Sequence, residues 1–328
     1  MNQWTDQAKA KLRSYPALRG KVVQAKDAVF QVKLAAAAAR NAPIVVEDEF
    51  GIKLLVPPFM RGSARSLVQR HSDRAAFKLM ATLLRPGDVV YDVGANIGLY
   101  SVHAARQVGP KGRVFAFEAV PTTADRLDET LALNHTREVT VVRAAVSDTS
   151  GTISMNVFAD PEASGWNSLG THAMHTYDGK AIRPDHTVEV TAETLDAFSE
   201  REGIDSIAFC KVDVEGFERH VFSGAASLLS EGRIGVLTFE ISEDPLVGEG
   251  GVASEVFEAL TRHDYKVMRH DEATDTVVGP IDPREEEKRL NDESLRPYVA
   301  NYFAARGPPG QRGGPTPRSR RGALGYKK

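Results

Sequence analysis

Residues 89–100 read Val-Val-Tyr-Asp-Val-Gly-Ala-Asn-Ile-Gly-Leu-Tyr: an apolar run, an acid, a glycine-spaced turn, and an amphipathic stretch that begins near Ile97. The pattern is a strand feeding a helix through a tight loop, the place where open α/β sheets hold a nucleotide-like ligand. Gly94 and Gly98 lack a Cβ, so the backbone can turn sharply and a ligand can approach closely. The helix that follows directs free amides back toward that ligand.

The glycine spacing discriminates between ligands. A dinucleotide loop carries G-x-G-x-x-G around a pyrophosphate, whereas this chain carries Asp92-x-Gly94-x-x-x-Gly98. A carboxylate just before the first glycine repels a pyrophosphate and suits a ligand with an ammonium group. S-adenosylmethionine has one, plus a sulfonium. Glu118 closes a second apolar run, Val114-Phe115-Ala116-Phe117-Glu118, 24 residues after Gly94. A carboxylate at a second strand's end accepts both ribose hydroxyls. Order and spacing together favour this reading over an ordinary turn followed by a solvated acid.

Outward from this unit the chain alternates apolar runs with amphipathic stretches. Strands are expected at 88–93, 113–117, 139–145, 206–213 and 234–241, and helices at 99–108, 122–134, 194–202, 217–230 and 252–263. Such alternation gives a parallel sheet covered on both faces. Residues 2–40 read as helix interrupted near Pro16, 49–58 as a short hairpin, and 73–84 as a helix stopped by Pro86-Gly87. Between 151 and 190 the alternation breaks into polar, aromatic-bearing sequence, read as an inserted hairpin and an excursion that shapes a substrate pocket.

The 328 residues, 42% hydrophobic and 26% charged, are ordinary globular values that select no function. The net charge of -3 hides an asymmetry, because residues 305–328 hold seven Lys or Arg and no acid, leaving 34 basic against 44 acidic residues before them. A body near -10 disfavours a large nucleic-acid footprint. The Gly-, Pro- and Arg-rich tail is expected to be disordered. The lone Cys210 reads as a small buried hydrophobe. No apolar stretch reaches the roughly 18 to 20 residues of a membrane helix, and no basic-then-apolar leader opens the chain. A cytoplasmic protein is expected.

The second informative segment is Ile207-Ala208-Phe209-Cys210-Lys211-Val212-Asp213-Val214-Glu215-Gly216-Phe217-Glu218. It starts as a buried strand and places charges at its carboxyl end, where the crevice of such a sheet opens. In an extended strand Lys211, Asp213 and Glu215 share one face. Three ionisable groups there are costly unless paired, hydrated or used. Glu240 ends the next strand within reach of Asp213, so this carboxylate pair can share a proton or bind a divalent cation. No His or Cys ligand pattern accompanies it.

Four motifs in order, Asp92-Val93-Gly94-Ala95-Asn96-Ile97-Gly98, Phe117-Glu118-Ala119-Val120-Pro121, Ala145-Val146-Ser147-Asp148 and Lys211-Val212-Asp213-Val214-Glu215-Gly216-Phe217-Glu218, resemble the FkbM family of S-adenosylmethionine-dependent methyltransferases over roughly residues 74–242. The resemblance implies a class I methyltransferase (Rossmann-like) sheet, mostly parallel with a reversed last hairpin and helices on both faces. It also implies O-methylation of a hydroxyl on a sugar, glycan or natural product. Carried over by motif, Asp92, Gly94, Ala95, Asn96 and Gly98 surround the methionine part, Glu118 the ribose, Ser147 and Asp148 the adenine, and Asp213 lies near the methyl group. Trp166, Asn167 and Ser168 resemble a polar family segment and are assigned to the acceptor. The family commonly has a Tyr-Glu pair before the first helix, where this chain reads His71-Ser72-Asp73-Arg74.

The expected organisation is an N-terminal helical arm and hairpin (1–72), a methyltransferase domain (73–280) with the 151–190 insertion, a C-terminal helical extension (281–304) and the basic tail (305–328). An aliphatic hydroxyl needs a base, which contributes about 10²- to 10⁴-fold. Asp213 is the first candidate and Glu240 the second, with Lys211 or Glu215 orienting the base or acceptor. The competing readings are a nicotinamide-dependent oxidoreductase, which needs the tighter glycine pattern, a non-catalytic interaction module, and an RNA methyltransferase, which needs a basic cleft.

Overall fold

The computed structural model describes residues 74–158, 183–243, 250–271, 276–292 and 298–307, with shorter stretches within 32–56 and at 174–175, 181–182 and 246. Contacts divide the chain into two units, Met1–Gln69 and Arg70–Lys328. In the first, β1 (Ile44–Glu47) and β2 (Lys53–Val56) pair antiparallel. The Asp48 carboxylate accepts the Phe50 and Ile52 amides at 2.9 and 2.8 Å, a local bond that favours a turn over a continued strand. That turn puts the hairpin at 44–56, earlier than the expected 49–58.

In the second unit α1 (Arg74–Leu83) leads into β3 (Val89–Val93), α2 (Leu99–Val108), β4 (Arg113–Phe117), α3 (Pro121–Leu133) and β5 (Val139–Val142). The chain then leaves the sheet through β6 (Ala145–Val146), β7 (Gly151–Val157), β8 (Met174–His175), β9 (Ala181–Ile182) and β10 (His186–Glu193). It returns through α4 (Leu195–Arg201), β11 (Ile207–Val212), α5 (Glu218–Ser223), α6 (Ala226–Ser230) and β12 (Ile234–Ser242). The end is α7 (Ala253–Thr261), β13 (Lys266–Asp271), β14 (Thr276–Val278), α8 (Pro283–Leu290) and β15 (Val299–Ala305).

The eight-stranded sheet has the order β14-β13-β15-β12-β11-β3-β4-β5. Neighbours from β12 to β5 are parallel, and β15 runs antiparallel between β12 and β13. This is the class I methyltransferase sheet. Its faces follow from the two-residue period of each strand. Tyr91, Phe115 and Phe117 point to one face, where Phe198 of α4 packs edge-on against them at 5.7, 5.1 and 4.8 Å. The Tyr91 hydroxyl is satisfied by Ser199 at 2.8 Å. Asp92 points to the opposite face and meets Ser101 of α2. Burying a ring such as Phe198 contributes roughly 1.5–3 kcal/mol.

Several expected boundaries move. The run at 139–145 splits, because β6 leaves the central sheet to pair with β10, which also pairs antiparallel with β7 in a separate three-stranded sheet. The helix expected over 217–230 breaks at Gly224, where a Cβ would lie 2.0 Å from the Ser147 carbonyl oxygen. The segment 281–304 is not a helical extension. Among the described residues only α8 is helical there, and β15 enters the sheet between β12 and β13, where Tyr302 is fully buried. The insertion of β15 is set by pairing with two strands distant in sequence, which no local pattern records.

Candidate active site

Chain continuations leave β3 and β11 in opposite directions, toward β4 on one side and β12 on the other. The crevice beyond their carboxyl ends is therefore the switch point of the sheet. Gly94 opens the first loop with φ 75°, and a Cβ there would lie 1.8 Å from the Asp213 carbonyl oxygen. The Gly94 and Ala95 amides donate to the Phe117 carbonyl at 3.1 and 2.9 Å. Gly98 serves packing more than ligand approach, since a Cβ on it would lie 2.3 Å from Leu127 Cδ1 of α3.

Glu118 braces this loop. Its Oε2 accepts the Asn96 amide at 3.0 Å and its Oε1 the Val120 amide at 2.9 Å. Burial pushes its carboxyl up to about 7, against the pull of those two amides and Lys211. Asp92, 1% exposed, accepts the Ser101 hydroxyl on Oδ2 at 2.5 Å. Burial raises its carboxyl too, opposed chiefly by Lys211. Two buried acceptors here, Asp92 Oδ1 and Asn96 Oδ1, have no hydrogen-bond partner among the described residues.

The elevated carboxyls have a measurable consequence. Glu118 and Glu218 are both pushed up to about 7 from 4.5, mainly by burial. The folded chain therefore binds more protons than the unfolded chain between those values, and stability falls as pH rises through that window. In thermal melts of the ligand-free protein from pH 4.5 to 7.5, Glu118→Gln is expected to flatten this decline relative to wild type, because one of the raised carboxyls no longer titrates. Identical slopes would contradict the assignment.

At the other side of the crevice Lys211, 8% exposed, ties the two halves together. Its ammonium donates to the Gly94 carbonyl at 3.3 Å and to Asp213 Oδ2 at 3.0 Å, and lies 4.8 Å from the centre of the Tyr100 ring. Carboxylate oxygens of Asp213, Glu215 and Glu240 lie within 4.8 Å of one another, and Glu240 Oε1 accepts the Ser242 hydroxyl at 3.0 Å. Burial raises the Glu215 carboxyl well above its usual range, with Asp213, Glu240 and Glu218 adding to it. The expectation that Lys211, Asp213 and Glu215 align by strand alternation fails in its reason. β11 ends at Val212, and Glu215 arrives through a left-handed backbone, φ 51°.

At the third corner the Ser147 hydroxyl donates to Asp148 Oδ1 at 3.2 Å, while the Ser147 amide is taken by the Glu193 carbonyl at 3.1 Å. His220 Nδ1 donates to Asp148 Oδ2 at 3.0 Å and its ring stacks on Phe217 at 5.0 Å. That hydrogen bond holds the Asp148 carboxyl below its usual range. Sequence reasoning missed His220. It stands two places after Glu218, but nothing local connects it to Asp148. His103 is a packed residue on α2, stacked on Phe77 at 4.5 Å and pushed down to about 4 by burial. Cys210 is fully buried. Trp166, Asn167 and Ser168, with His71-Ser72-Asp73, lie outside the described residues.

Residues 92–267, more than half of the 328-residue chain, match the Methyltransferase FkbM domain, and the chain belongs to that methyltransferase family. The matched span starts at Asp92 and contains every polar contact described around the crevice. The chain is 34% identical over 160 residues to the 31-O-demethyl-FK506 methyltransferase FkbM of Streptomyces tacrolimicus, covering 43% of this chain and 60% of that protein. It is 28% identical over 161 residues to the 2-O-methyltransferase NoeI of Sinorhizobium fredii, covering 48% and 65%. The hexuronic acid methyltransferase AglP of Haloferax volcanii is 28% identical over 205 residues, covering 60% and 77%. The chain thus spans less than two thirds of the length of the first two relatives. No helix among the described residues is long and apolar enough to cross a membrane.

Proposed function

We propose that this chain is an S-adenosylmethionine-dependent O-methyltransferase acting on a hydroxyl of a sugar, glycan or natural product. The observation that carries the reading is the buried Asp92 Oδ1 at the switch point, which, like Asn96 Oδ1 in the loop that follows, has no partner among the described residues. Two orphaned acceptors in a buried crevice are expensive unless a donor fills them. An amino-acid ammonium is such a donor. Glu118 fits the ribose because each of its oxygens accepts one amide and keeps a lone pair for a hydroxyl hydrogen. Asp148, braced by His220, is the acceptor for an adenine amino group.

When bound, S-adenosylmethionine supplies an electrophilic sulfonium methyl group. Asp213 takes the proton of the acceptor hydroxyl, and Lys211, 3.0 Å away, fixes that carboxylate and balances its charge. Glu215 and Glu240 orient the acceptor. Alignment of the oxygen behind the methyl contributes up to about 7–11 kcal/mol, and the base about 10²- to 10⁴-fold. A second reading, a divalent cation held by Asp213, Glu215 and Glu240, is favoured by their mutual proximity, since hard cations take carboxylate oxygens.

Methyl-labelled cofactor incubated with metabolite and glycan extracts tests both. The expected product carries label in a base-stable methyl ether, with or without a chelator. Loss of labelling on chelation supports the cation, and failure of calorimetry to detect S-adenosylmethionine binding removes the proposal. In the same calorimetry Glu118→Ala is expected to weaken affinity about 10- to 100-fold, the 1.5–3 kcal/mol of a charged hydrogen bond. Unchanged affinity would reject the ribose assignment.

A further inference from the structure

Glu218 has no part in the chemistry above, yet it is 1% exposed beneath the loop that carries Glu215. Its Oε1 accepts the amides on either side of Glu215, Val214 N–H at 3.2 Å and Gly216 N–H at 3.3 Å. Between and after those amides the backbone is left-handed twice in succession, φ 51° at Glu215 and 95° at Gly216. Left-handed geometry costs a non-glycine residue about 1–2 kcal/mol, so Glu215 keeps it only if the surroundings over-determine it. Backbone amides that converge in such a turn form a concave nest for an anion. Here the anion is supplied three residues downstream by the first residue of α5.

We infer that Glu218 is a positioning residue: its carboxylate, seated between the Val214 and Gly216 amides, holds Glu215 in the left-handed conformation that sets it beside Asp213 and Glu240. This rests on the proposed role of those three acids in methyl transfer. With the nest empty, Glu215 relaxes toward an ordinary conformation and swings its carboxylate out of the cluster. The Lys211 bond to the Gly94 carbonyl and the His220 bond to Asp148 do not involve Glu218 or Glu215, so cofactor affinity is preserved while turnover falls.

The test uses the full chain, with initial rates of label transfer into the metabolite and glycan extract at saturating S-adenosylmethionine, and calorimetry with S-adenosylhomocysteine. Glu218→Leu, which removes the acceptor, is expected to slow transfer about 10- to 100-fold, the range of a misplaced catalytic group. Its affinity for S-adenosylhomocysteine is expected to stay within about threefold, less than 1 kcal/mol. Glu218→Gln keeps a carbonyl oxygen for the two amides and is expected to restore most of the rate. The double variant Glu215→Ala/Glu218→Leu is expected to be no slower than Glu215→Ala, because Glu218 acts through Glu215. A wild-type rate for Glu218→Leu overturns the inference, as do a glutamine variant as slow as the leucine one and single effects that multiply in the double variant. Should the leucine variant not fold, Gly216→Ala breaks the same nest with Glu218 intact. The same slowing and the same non-additivity with Glu215→Ala are expected, and a wild-type rate overturns the inference. If Asp213→Asn and Glu215→Ala both keep the wild-type rate, the assignment of the acids falls and the inference with it. If they slow transfer and the Glu218 and Gly216 variants do not, only the inference falls.

Discussion

Asp213→Asn is expected to slow methyl transfer by about 10²- to 10⁴-fold, the contribution of a positioned base, while affinity for S-adenosylhomocysteine changes by less than about threefold. The substitution keeps the shape of the side chain and removes its capacity to take a proton. Lys211 retains the Gly94 carbonyl at 3.3 Å, so the loop after β3 stays tethered. The loss should therefore fall on turnover at saturating cofactor, measured by label transfer. A rate within about threefold of wild type would move the base to Glu240, whose carboxylate lies in the same cluster. The corresponding Glu240→Gln variant would then carry the large effect.

Gly94→Ala is expected to destabilise the fold by about 3–5 kcal/mol, combining backbone strain at positive φ with overpacking. The clash is with main chain: the added Cβ would sit 1.8 Å from the Asp213 carbonyl oxygen, one residue past the end of β11, and a main-chain carbonyl has no rotamer to escape into. Relief requires β3 and β11 to part at the crevice, so cofactor binding is expected to fail together with stability. For a unit of this size the melting temperature should drop by roughly 10 °C. Gly109→Ala is the control. It shares a positive φ, 60°, with ψ -172°, but has nothing within 4 Å of the added atom, so it is expected to cost backbone strain alone, about 1–3 kcal/mol. Equal effects at the two positions would show that contact with Asp213 is unimportant.

The five parallel strands and the helices between them were legible because each carries its own periodicity: Val89–Val93 and Ile207–Val212 are near-continuous apolar runs, broken only by Asp92 and Lys211, as expected of strands buried on both faces. The positions of Asp92, Gly94 and Glu118 were legible for a related reason, since they stand at the ends of such runs. β15 was not. Val299–Ala305 reads Val-Ala-Asn-Tyr-Phe-Ala-Ala, without alternation, and its place depends on register with Val236–Ser242 on one side and Lys266–Arg269 on the other. His220 escaped for the same reason, 72 residues from the Asp148 it braces. Glu215 was placed near its true neighbours on a wrong premise, since a left-handed turn and not strand alternation carries it there.

Local pattern alone therefore settled that a strand, a glycine loop and two strand-end acids stand at the carboxyl edge of a parallel sheet, because side-chain period and chain stiffness act over a few residues. Which acids meet in that crevice, and which groups hold them, was decided by strand order and backbone handedness. Those depend on pairing energies between segments tens of residues apart, and no short stretch of the chain contains them.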